Sequence, residues 1–324
     1  MSSDSIVLQV AAGWLILALG GGAASAKEAG GTPVAFVASG KASQLIAVDL
    51  TTKRVVGRIP VPSGPRSVAA TGTRFLLVTS PAARKVALVD SVTRRVVKIF
   101  GGFGRPLDVA AERGYAYVTD ARRNELVVID LAQRKVVSRV AVPRRPQNVA
   151  VGDVALVTHS PPNPYLTFVN LPRPGAPRVS VRRLAVPAVG GARDVSRQPD
   201  SANAYVTGWS SGGAAGVDWG NERPLWWRNV GTSLRHVAFD YFHGRRVWVS
   251  DHARGEVIAL SSRDGHVVRR LHGCPGARQI ALGGQAWIAA TCEGSLAIWD
   301  TRGWKRTLVP IPPEAHGVAV AVVP

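Results

Sequence analysis

The fold is decided by a stretch that reads Tyr117-Val118-Thr119-Asp120, then Val127-Val128-Ile129-Asp130, then Lys135-Val136-Val137. Three short runs of β-branched and aromatic residues, separated by short polar segments, are typical of consecutive antiparallel strands. The pattern recurs along the chain, and this recurrence is the signature of a repeat architecture.

Three markers recur together through the chain. From Val68 to Val318 there are 250 residues in six steps, which gives a period of about 42 residues. The first marker is a polar residue before the Val or Ile that opens an apolar run. Its copies are Ser67-Val68, Asp108-Val109, Asn148-Val149, Asp194-Val195, His236-Val237, Gln279-Ile280 and Gly317-Val318.

The second marker is an apolar run that ends near Val-Thr, and the third is an apolar run that closes on Asp or a substitute. The second occurs at residues 36–39, 77–80, 117–120, 156–159, 205–208, 248–251 and 289–292. The third ends at Asp49, Asp90, Asp130, Asn170, Asp218, Ser261 and Asp300. A turn and a further strand follow each copy.

Seven units of four short strands predict an all-β protein, a seven-bladed β-propeller. A TIM barrel would need helices between the strands, and no helical period is sustained in the chain. The chain ends with an isolated first-type strand, His316 to Val323. We expect this strand to complete the first blade, because pairing the two ends removes an open sheet edge.

The runs at Tyr117–Asp120, Val127–Asp130 and Lys135–Val137 resemble the YVTN-type β-propeller repeat family. The resemblance covers Thr32–Pro324, although Asp120 stands where that motif has Asn. It implies a secreted or surface protein of bacteria or archaea. It implies a scaffold without a shared catalytic motif, so function must come from a site.

Residues 1–26 have the pattern of an export signal. The stretch Ile6 to Leu19 is mostly apolar, and Ala24-Ser25-Ala26 forms a small-x-small cleavage site, although the first five residues contain no Lys or Arg. We expect a signal peptide at 1–26, retained as an anchor if it is not cleaved, and one propeller domain at 27–324. The predicted location is secreted, periplasmic or cell-surface, with no membrane span in the mature chain.

The two cysteines exclude a disulfide-dense scaffold and a Cys-rich zinc domain, and the lack of C-x-x-C-H excludes covalently attached c-type haem. Cys274 precedes the innermost strand of the last blade, and Cys292 ends its second strand. Both positions lie on the same face of a propeller. In an exported protein they predict one structural disulfide, with a metal pair or two free thiols as alternatives.

Cationic residues cluster at one mouth of the predicted channel. At each first marker, the residue two positions before the Val or Ile lies at that mouth. These seven residues are Arg66, Leu107, Gln147, Arg193, Arg235, Arg278 and His316. A ring of arginines could hold a carboxylate, a phosphate or a sulfated sugar. The alternative is that these arginines pair with Asp108, Asp194 or loop carbonyls and tie adjacent blades together.

Two further groups are candidates on the same face. His236, Asp251 and His252 form the best acid–base set, which could shuttle protons or bind a metal with His316. The alternative is exposed loop histidines beside a turn aspartate. Trp209 is a candidate rim residue for stacking against a ligand. We assign no catalytic residue, no metal ligand and no cofactor.

The net charge of +19, from 40 Lys and Arg against 21 Asp and Glu, favours an anionic partner. The first hypothesis is a monomeric binding or interaction module for an anionic ligand, a cell-surface polymer or a protein partner. Nucleic acid is less favoured, because aromatic residues do not alternate with the basic pairs. The alternatives are a lyase- or hydrolase-type propeller enzyme and an accessory subunit of a periplasmic redox system.

Overall fold

The computed structural model describes residues 31–72, 74–163, 165–171, 180–186, 189–199, 201–209 and 212–324. The predicted export segment, residues 1–26, lies outside the described residues, and so do the first residues assigned to the propeller domain. In the described part of the chain, 28 strands form seven antiparallel sheets of four strands.

Each sheet is one blade. The first fifteen strands belong to blades 1 to 4 and are β1 (Thr32–Ser39), β2 (Gln44–Asp49), β3 (Arg54–Pro60), β4 (Val68–Thr71), β5 (Phe75–Ser80), β6 (Lys85–Asp90), β7 (Arg95–Phe100), β8 (Pro106–Glu112), β9 (Tyr115–Asp120), β10 (Glu125–Asp130), β11 (Lys135–Ala141), β12 (Pro146–Val151), β13 (Val154–His159), β14 (Tyr165–Asn170) and β15 (Val181–Ala185). The remaining strands are β16 (Ala192–Arg197), β17 (Asn203–Gly208), β18 (Gly213–Asp218), β19 (Arg223–Asn229), β20 (Leu234–Asp240), β21 (Arg246–Asp251), β22 (Glu256–Ser261), β23 (Val267–His272), β24 (Ile280–Gly283), β25 (Trp287–Cys292), β26 (Ser295–Asp300), β27 (Lys305–Pro310) and β28 (Ala315–Val323).

The ring closes as predicted. The final strand β28 pairs antiparallel with β1, with Val37 opposite Val318, and the first sheet has the order β28-β1-β2-β3. The other six blades use consecutive strands. First strands of successive blades contact one another and therefore surround the axis. We call the face where these strands begin the upper face and the opposite one the lower face.

The hydrophobic core lies between blades. Strand residues alternate between the two sides of each sheet, so every blade contributes to two clusters. Phe36 of blade 1 and Leu76 of blade 2 share one cluster, whereas Ile46 of blade 1 packs with Ile298 of blade 7 in another. Among the described residues, no helix has the length and apolar character needed to cross a membrane.

The hydroxyl of the Val-Thr marker joins adjacent blades. Thr119 Oγ1 accepts the amide of Asp108 in its own blade at 3.1 Å and donates to the carbonyl of Gln147 in the next blade at 2.6 Å. Thr158 does the same between Asn148 at 3.0 Å and the Arg193 carbonyl at 2.9 Å. We call this pair of bonds the hydroxyl bridge.

The hydroxyl bridge occurs at five of the seven blade junctions within the described residues. Besides Thr119 and Thr158, the bridging residues are Thr79, Ser250 and Thr291. At the other two junctions, Ala38 and Thr207 occupy the same position. Ala38 has no hydroxyl, and in the described structure the Thr207 hydroxyl oxygen is buried without a hydrogen-bond partner. The Thr or Ser of the second marker therefore forms hydrogen bonds between blades, in addition to favouring a strand.

The third marker closes a turn. Asp90 Oδ1 accepts the amides of Val92 and Thr93, each at 2.9 Å. Arg94 then adopts a φ of 56° before β7 begins. Asp49 accepts equivalent amides, and Lys53 has an equivalent φ of 58°. An Asp side chain that caps its own turn explains why each third strand tends to end on Asp.

In blades 3, 6 and 7 the last residue of the second strand holds the loop that leads into the first strand. Asp120 accepts the amides of Gly104 at 2.6 Å and Arg105 at 2.8 Å. In blade 7, Cys292 stands at the position of Asp120 and forms a disulfide with Cys274 of that loop. The predicted disulfide is therefore confirmed, and it performs covalently what a carboxylate does in blade 3.

The hydroxyl bridge predicts unequal effects of one substitution at two equivalent positions. Thr119→Val leaves the Asp108 amide and the Gln147 carbonyl without their buried partner, and we expect it to lower the free energy of unfolding by about 1–3 kcal/mol. Thr207→Val is the matched control, because the Thr207 hydroxyl has no partner among the described residues. It should leave stability unchanged or raise it. Urea titrations of both variants test this, and equal losses would contradict the bridge.

The disulfide should contribute measurably to stability. It closes a loop with a sequence separation of 18, for which chain entropy gives about 3 kcal/mol. We expect Cys274→Ala with Cys292→Ala to lower the unfolding free energy by that order. Urea titration of the double variant measures this loss of unfolding free energy. The protein without substitutions, titrated under reducing conditions, provides a second comparison. A loss confined to the reduced protein would point to an effect of the reductant.

Candidate functional site

A cavity of about 230 Å³ opens at the upper mouth of the channel. Its lining includes all seven residues expected there, which are Arg66, Leu107, Gln147, Arg193, Arg235, Arg278 and His316. We call these seven the mouth ring. The residues that directly follow five of the ring positions also line the cavity. They are Ser67, Asp108, Asn148, His236 and Gln279.

The backbone of the mouth ring is fixed by the fold. The hydroxyl bridges end on the carbonyls of Leu107, Gln147, Arg193, Arg278 and His316. In four blades the next side chain along the first strand, that of Asp108, Asp194, His236 or Gln279, accepts an amide of the following blade. Asp108 takes the Val149 amide at 2.9 Å, and Gln279 takes the Val318 amide at 3.1 Å. The ring is therefore held rigidly, as a binding site requires.

The cations form one arc. Arg193, Arg235, Arg278, His316 and Arg66 belong to blades 5, 6, 7, 1 and 2, which are neighbours around the ring. Leu107 and Gln147, of blades 3 and 4, complete the circle without charge. The mouth ring is therefore polarised, with basic residues on one side and uncharged residues on the other, and Asp108 lines the cavity beside Leu107.

Inter-blade ion pairing does not account for these arginines. Among the described residues, none of Arg66, Arg193, Arg235 and Arg278 forms a salt bridge with Asp or Glu. Asp108 instead accepts the Ser67 hydroxyl at 2.5 Å together with the Val149 amide. Asp194 accepts the Asn148 side-chain amide and, at 2.8 Å, the Val237 amide. The carboxylates are thus engaged in holding the blades.

Burial and mutual repulsion act on the arc. Burial lowers the pKa of the Arg66 guanidinium, and the charges of Arg105 and Arg278 lower it further, against the opposing effect of Asp108. Burial and then Arg278 lower the pKa of Arg235. In the described structure, the Nε of Arg235 is also buried without a hydrogen-bond partner. An anion would offset both the desolvation and the repulsion of these side chains.

The titrating groups of the cavity respond to the same environment. Burial raises the pKa of Asp108 to about 6, although its hydrogen bonds from Ser67 and Val149 oppose the shift. The pKa of His316 is lowered by burial and then by Arg278 and Arg66. Burial also lowers the pKa of His236, whose Nε2 lies 3.7 Å from Asp194.

Trp209 lies at the cavity wall beside Arg193. The Arg193 guanidinium lies 4.7 Å from the centre of the Trp209 ring. The indole N–H donates to the carbonyls of His159 at 2.9 Å and Ala192 at 3.2 Å, which fixes the ring. The indole therefore orients the guanidinium through a cation–π contact.

The acid–base set is not brought together. His236 and His316 line the cavity, whereas the lining within the described residues includes neither Asp251 nor His252. The buried Asp251 carboxylate accepts the amides of Thr232 at 2.7 Å and Ser233 at 3.1 Å, in the loop-holding role of Asp120. The Nδ1 of His252 is buried and has no hydrogen-bond partner among the described residues. The cavity therefore brings together His236 and His316 of the predicted set, and its lining within the described residues leaves out Asp251 and His252.

Over the part of the chain that the structure describes, no cluster of three or more His, Cys, Asp or Glu could hold a metal ion. The polar groups at the cavity are guanidinium, imidazole, amide and hydroxyl groups together with the Asp108 carboxylate. Sequence reasoning identified the mouth ring by counting back from the first marker. It did not identify the hydroxyl bridge, since a Val-Thr pair is also ordinary strand sequence.

Comparisons with known proteins agree on the fold. No family model matches the chain, and no curated protein matches it in sequence. A functionally unknown protein from Desulfotomaculum acetoxidans is 15% identical with a TM-score of 0.75, over 90% of this chain and 98% of that one. Hydrazine synthase from Kuenenia stuttgartiensis is 16% identical with a TM-score of 0.67, over 85% and 92%. Apo AztD from Citrobacter koseri is 10% identical with a TM-score of 0.69, over 90% and 98%.

At such identities the likeness concerns the architecture alone. The seven-bladed β-propeller is confirmed by the strand topology and by these neighbours. Membership of the YVTN-type repeat family stays a prediction, because no family model matches.

Proposed function

We propose that the protein is an exported β-propeller binding module. Its upper mouth takes a ligand that carries a carboxylate, phosphate or sulfate group. The observation that carries this proposal is the arc of four arginines and His316 at five consecutive ring positions around one cavity, without a carboxylate partner for the arginines among the described residues. Guanidinium groups bind such oxyanions in bidentate fashion.

The polarised mouth supports a ligand with two different ends. The anionic end faces Arg193, Arg235 and Arg278, where compensation of buried positive charge supplies affinity. The remainder of the ligand lies toward Leu107 and Gln147. The cavity volume of about 230 Å³ suits a small molecule or the end of a polymer chain, not a folded partner.

Export is supported by two independent features. The disulfide between Cys274 and Cys292 is of a kind that persists in oxidising compartments. Residues 1–26 have the composition of an export signal. A periplasmic or extracellular location would place the open mouth among small anions and anionic surface polymers.

Arg278 is the most informative ring residue to change, because its charge acts on Arg66, Arg235 and His316. Calorimetric titration of sulfate, phosphate, citrate and a sulfated disaccharide identifies the tightest anion. We expect Arg278→Ala to weaken its binding by about 10- to 100-fold, the value of one charge-assisted hydrogen bond. The same change should stabilise the ligand-free protein, since it relieves repulsion in the arc.

The matched control is Arg134→Ala, which removes one exposed arginine from the lower face and changes the net charge equally. Its affinity for the anion should remain that of the unchanged protein. Equal weakening by both variants would show that general basicity, and not the mouth, attracts anions.

Binding should also depend on pH. Above about pH 6 the Asp108 carboxylate is charged and repels an anion beside Arg66, whereas its protonation below that pH removes the repulsion. The pKa values of His316 and His236 are lowered, so these groups gain positive charge only in acid. Protonation of Asp108 and protonation of the two histidines both make the cavity more positive. Its affinity for an anion therefore rises as pH falls.

Sulfate is the suitable probe, because its charge is constant over this range. We expect its affinity to increase several-fold between pH 7.5 and pH 5, roughly the effect of one neighbouring charge at a partly buried site. Asp108→Asn should raise the affinity at neutral pH and flatten the profile near pH 6. A profile that falls toward acid, or one that Asp108→Asn leaves unaltered, would be inconsistent with this electrostatic account.

A further inference from the structure

The lower face carries an exposed aromatic pair at one hairpin tip. Tyr241 and Phe242 follow β20 directly, and their exposed fractions are 57% and 52%. Most large apolar side chains of the first and second strands are buried. Two adjacent exposed aromatic residues at a protruding turn require an explanation other than packing.

The tip is held rigid from beneath. Asp240 is fully buried and accepts the Phe242 amide at 2.9 Å and the His243 amide at 3.1 Å. Its Oδ2 also contacts His243 Nδ1 at 2.7 Å and accepts the Trp248 indole N–H at 2.8 Å. His243 Nε2 reaches the carbonyl of Gln285 in the next blade at 2.7 Å. The aromatic pair is therefore presented in one conformation, which lowers the entropic cost of inserting it into a partner.

Positive charge surrounds this tip across the lower face. Arg245 lies in the same hairpin and Arg263 in the other lower hairpin of blade 6, and both are exposed. Tips of other blades on this face carry Lys53, Arg74, Arg94, Arg113, Arg134 and Arg302. Asp90 and Asp130 are buried on the amides of their own turns, whereas Asp153 and Asp264 are exposed. Three of these cations are ion-paired on this face, namely Arg74, Arg113 and Arg302. The hairpin tips of this face therefore carry more cations than exposed carboxylates, and some of the cations are paired.

We propose that the lower face binds the surface of an anionic lipid bilayer, with Tyr241 and Phe242 inserted at the level of the headgroups. Aromatic side chains favour this interface, and basic residues near it are attracted by anionic headgroups. Cations on blades 1, 2, 3, 6 and 7 form a broad array that matches a planar charged surface.

This orientation leaves the upper mouth facing away from the membrane. The two ends of the molecule would then act separately, one holding it at a surface and the other taking a soluble anion. The proposal does not depend on the upper mouth, since no residue of the lower tip lines that cavity.

Vesicle co-sedimentation of the full chain provides the test, with phosphatidylcholine vesicles that contain or lack phosphatidylglycerol. We expect binding only to the anionic vesicles, and a loss at high salt. Tyr241→Ser with Phe242→Ser should lower the partition coefficient by roughly tenfold or more, because two aromatic side chains no longer insert. Trp227→Ser is the matched control, since Trp227 is 54% exposed on the outer strand β19 and away from the tip. It should bind as the unchanged protein does.

A probe at the tip itself separates this contact from any membrane affinity of Ile6 to Leu19, which all variants share. Both native cysteines are engaged in the disulfide, so Phe242→Cys introduces a unique thiol for an environment-sensitive dye. The dye at position 242 should shift to the blue with anionic vesicles, whereas the same dye at Trp227→Cys should not. Absence of the shift at 242 would overturn the proposal. Retention of an immobilised poly-glutamate peptide without binding to vesicles would overturn it in favour of an acidic protein partner.

Discussion

The structure depends on the side-chain hydroxyl of the penultimate residue in most second strands. In Thr79, Thr119, Thr158, Ser250 and Thr291 this group accepts an amide from its own blade and donates to a carbonyl of the next. A propeller blade has no covalent tie to its neighbour other than one loop, so apolar packing alone would leave adjacent blades able to slide. The directional bond fixes their register near the axis. Ligand chemistry then becomes available there, because the carbonyls that receive these bonds belong to the mouth ring.

The candidate site is a consequence of that arrangement. The fold requires a residue at each ring position but does not dictate its side chain, since the structural bonds at that position go to the backbone carbonyl. Arg193 and Arg278 therefore add charge to the mouth without a structural role for the guanidinium. Partly desolvated cations that repel one another lower stability, and such a cost is typical of functional sites. The two junctions that lack the hydroxyl bridge are those that precede Arg66 and Arg235, the ring arginines whose pKa values are lowered by burial.

Much of this could be predicted from the sequence, because the repeat constrains it. The period of the markers predicts the blades, the isolated last strand predicts closure, and counting from Val68 or Ile280 places the ring residues at one mouth. Cys292 was assigned to its disulfide by position. The rest depends on contacts between residues that are distant in the sequence. Asp251 looks like a partner for His236 in the sequence, yet its carboxylate is engaged by the amides of residues 232 and 233. Nothing in the local sequence distinguishes Thr119, which bridges two blades, from Thr207, whose hydroxyl has no partner in the described structure.

The most direct measurement is a crystal structure of the protein grown with selenate, whose selenium scatters anomalously. The account predicts an anomalous peak in the upper mouth, within hydrogen-bonding distance of at least two of Arg193, Arg235 and Arg278. A mouth without selenate, with these guanidinium groups turned onto carboxylates of neighbouring blades, would contradict it. In that case the arginines would hold the blades together, and the charge of the mouth would be structural.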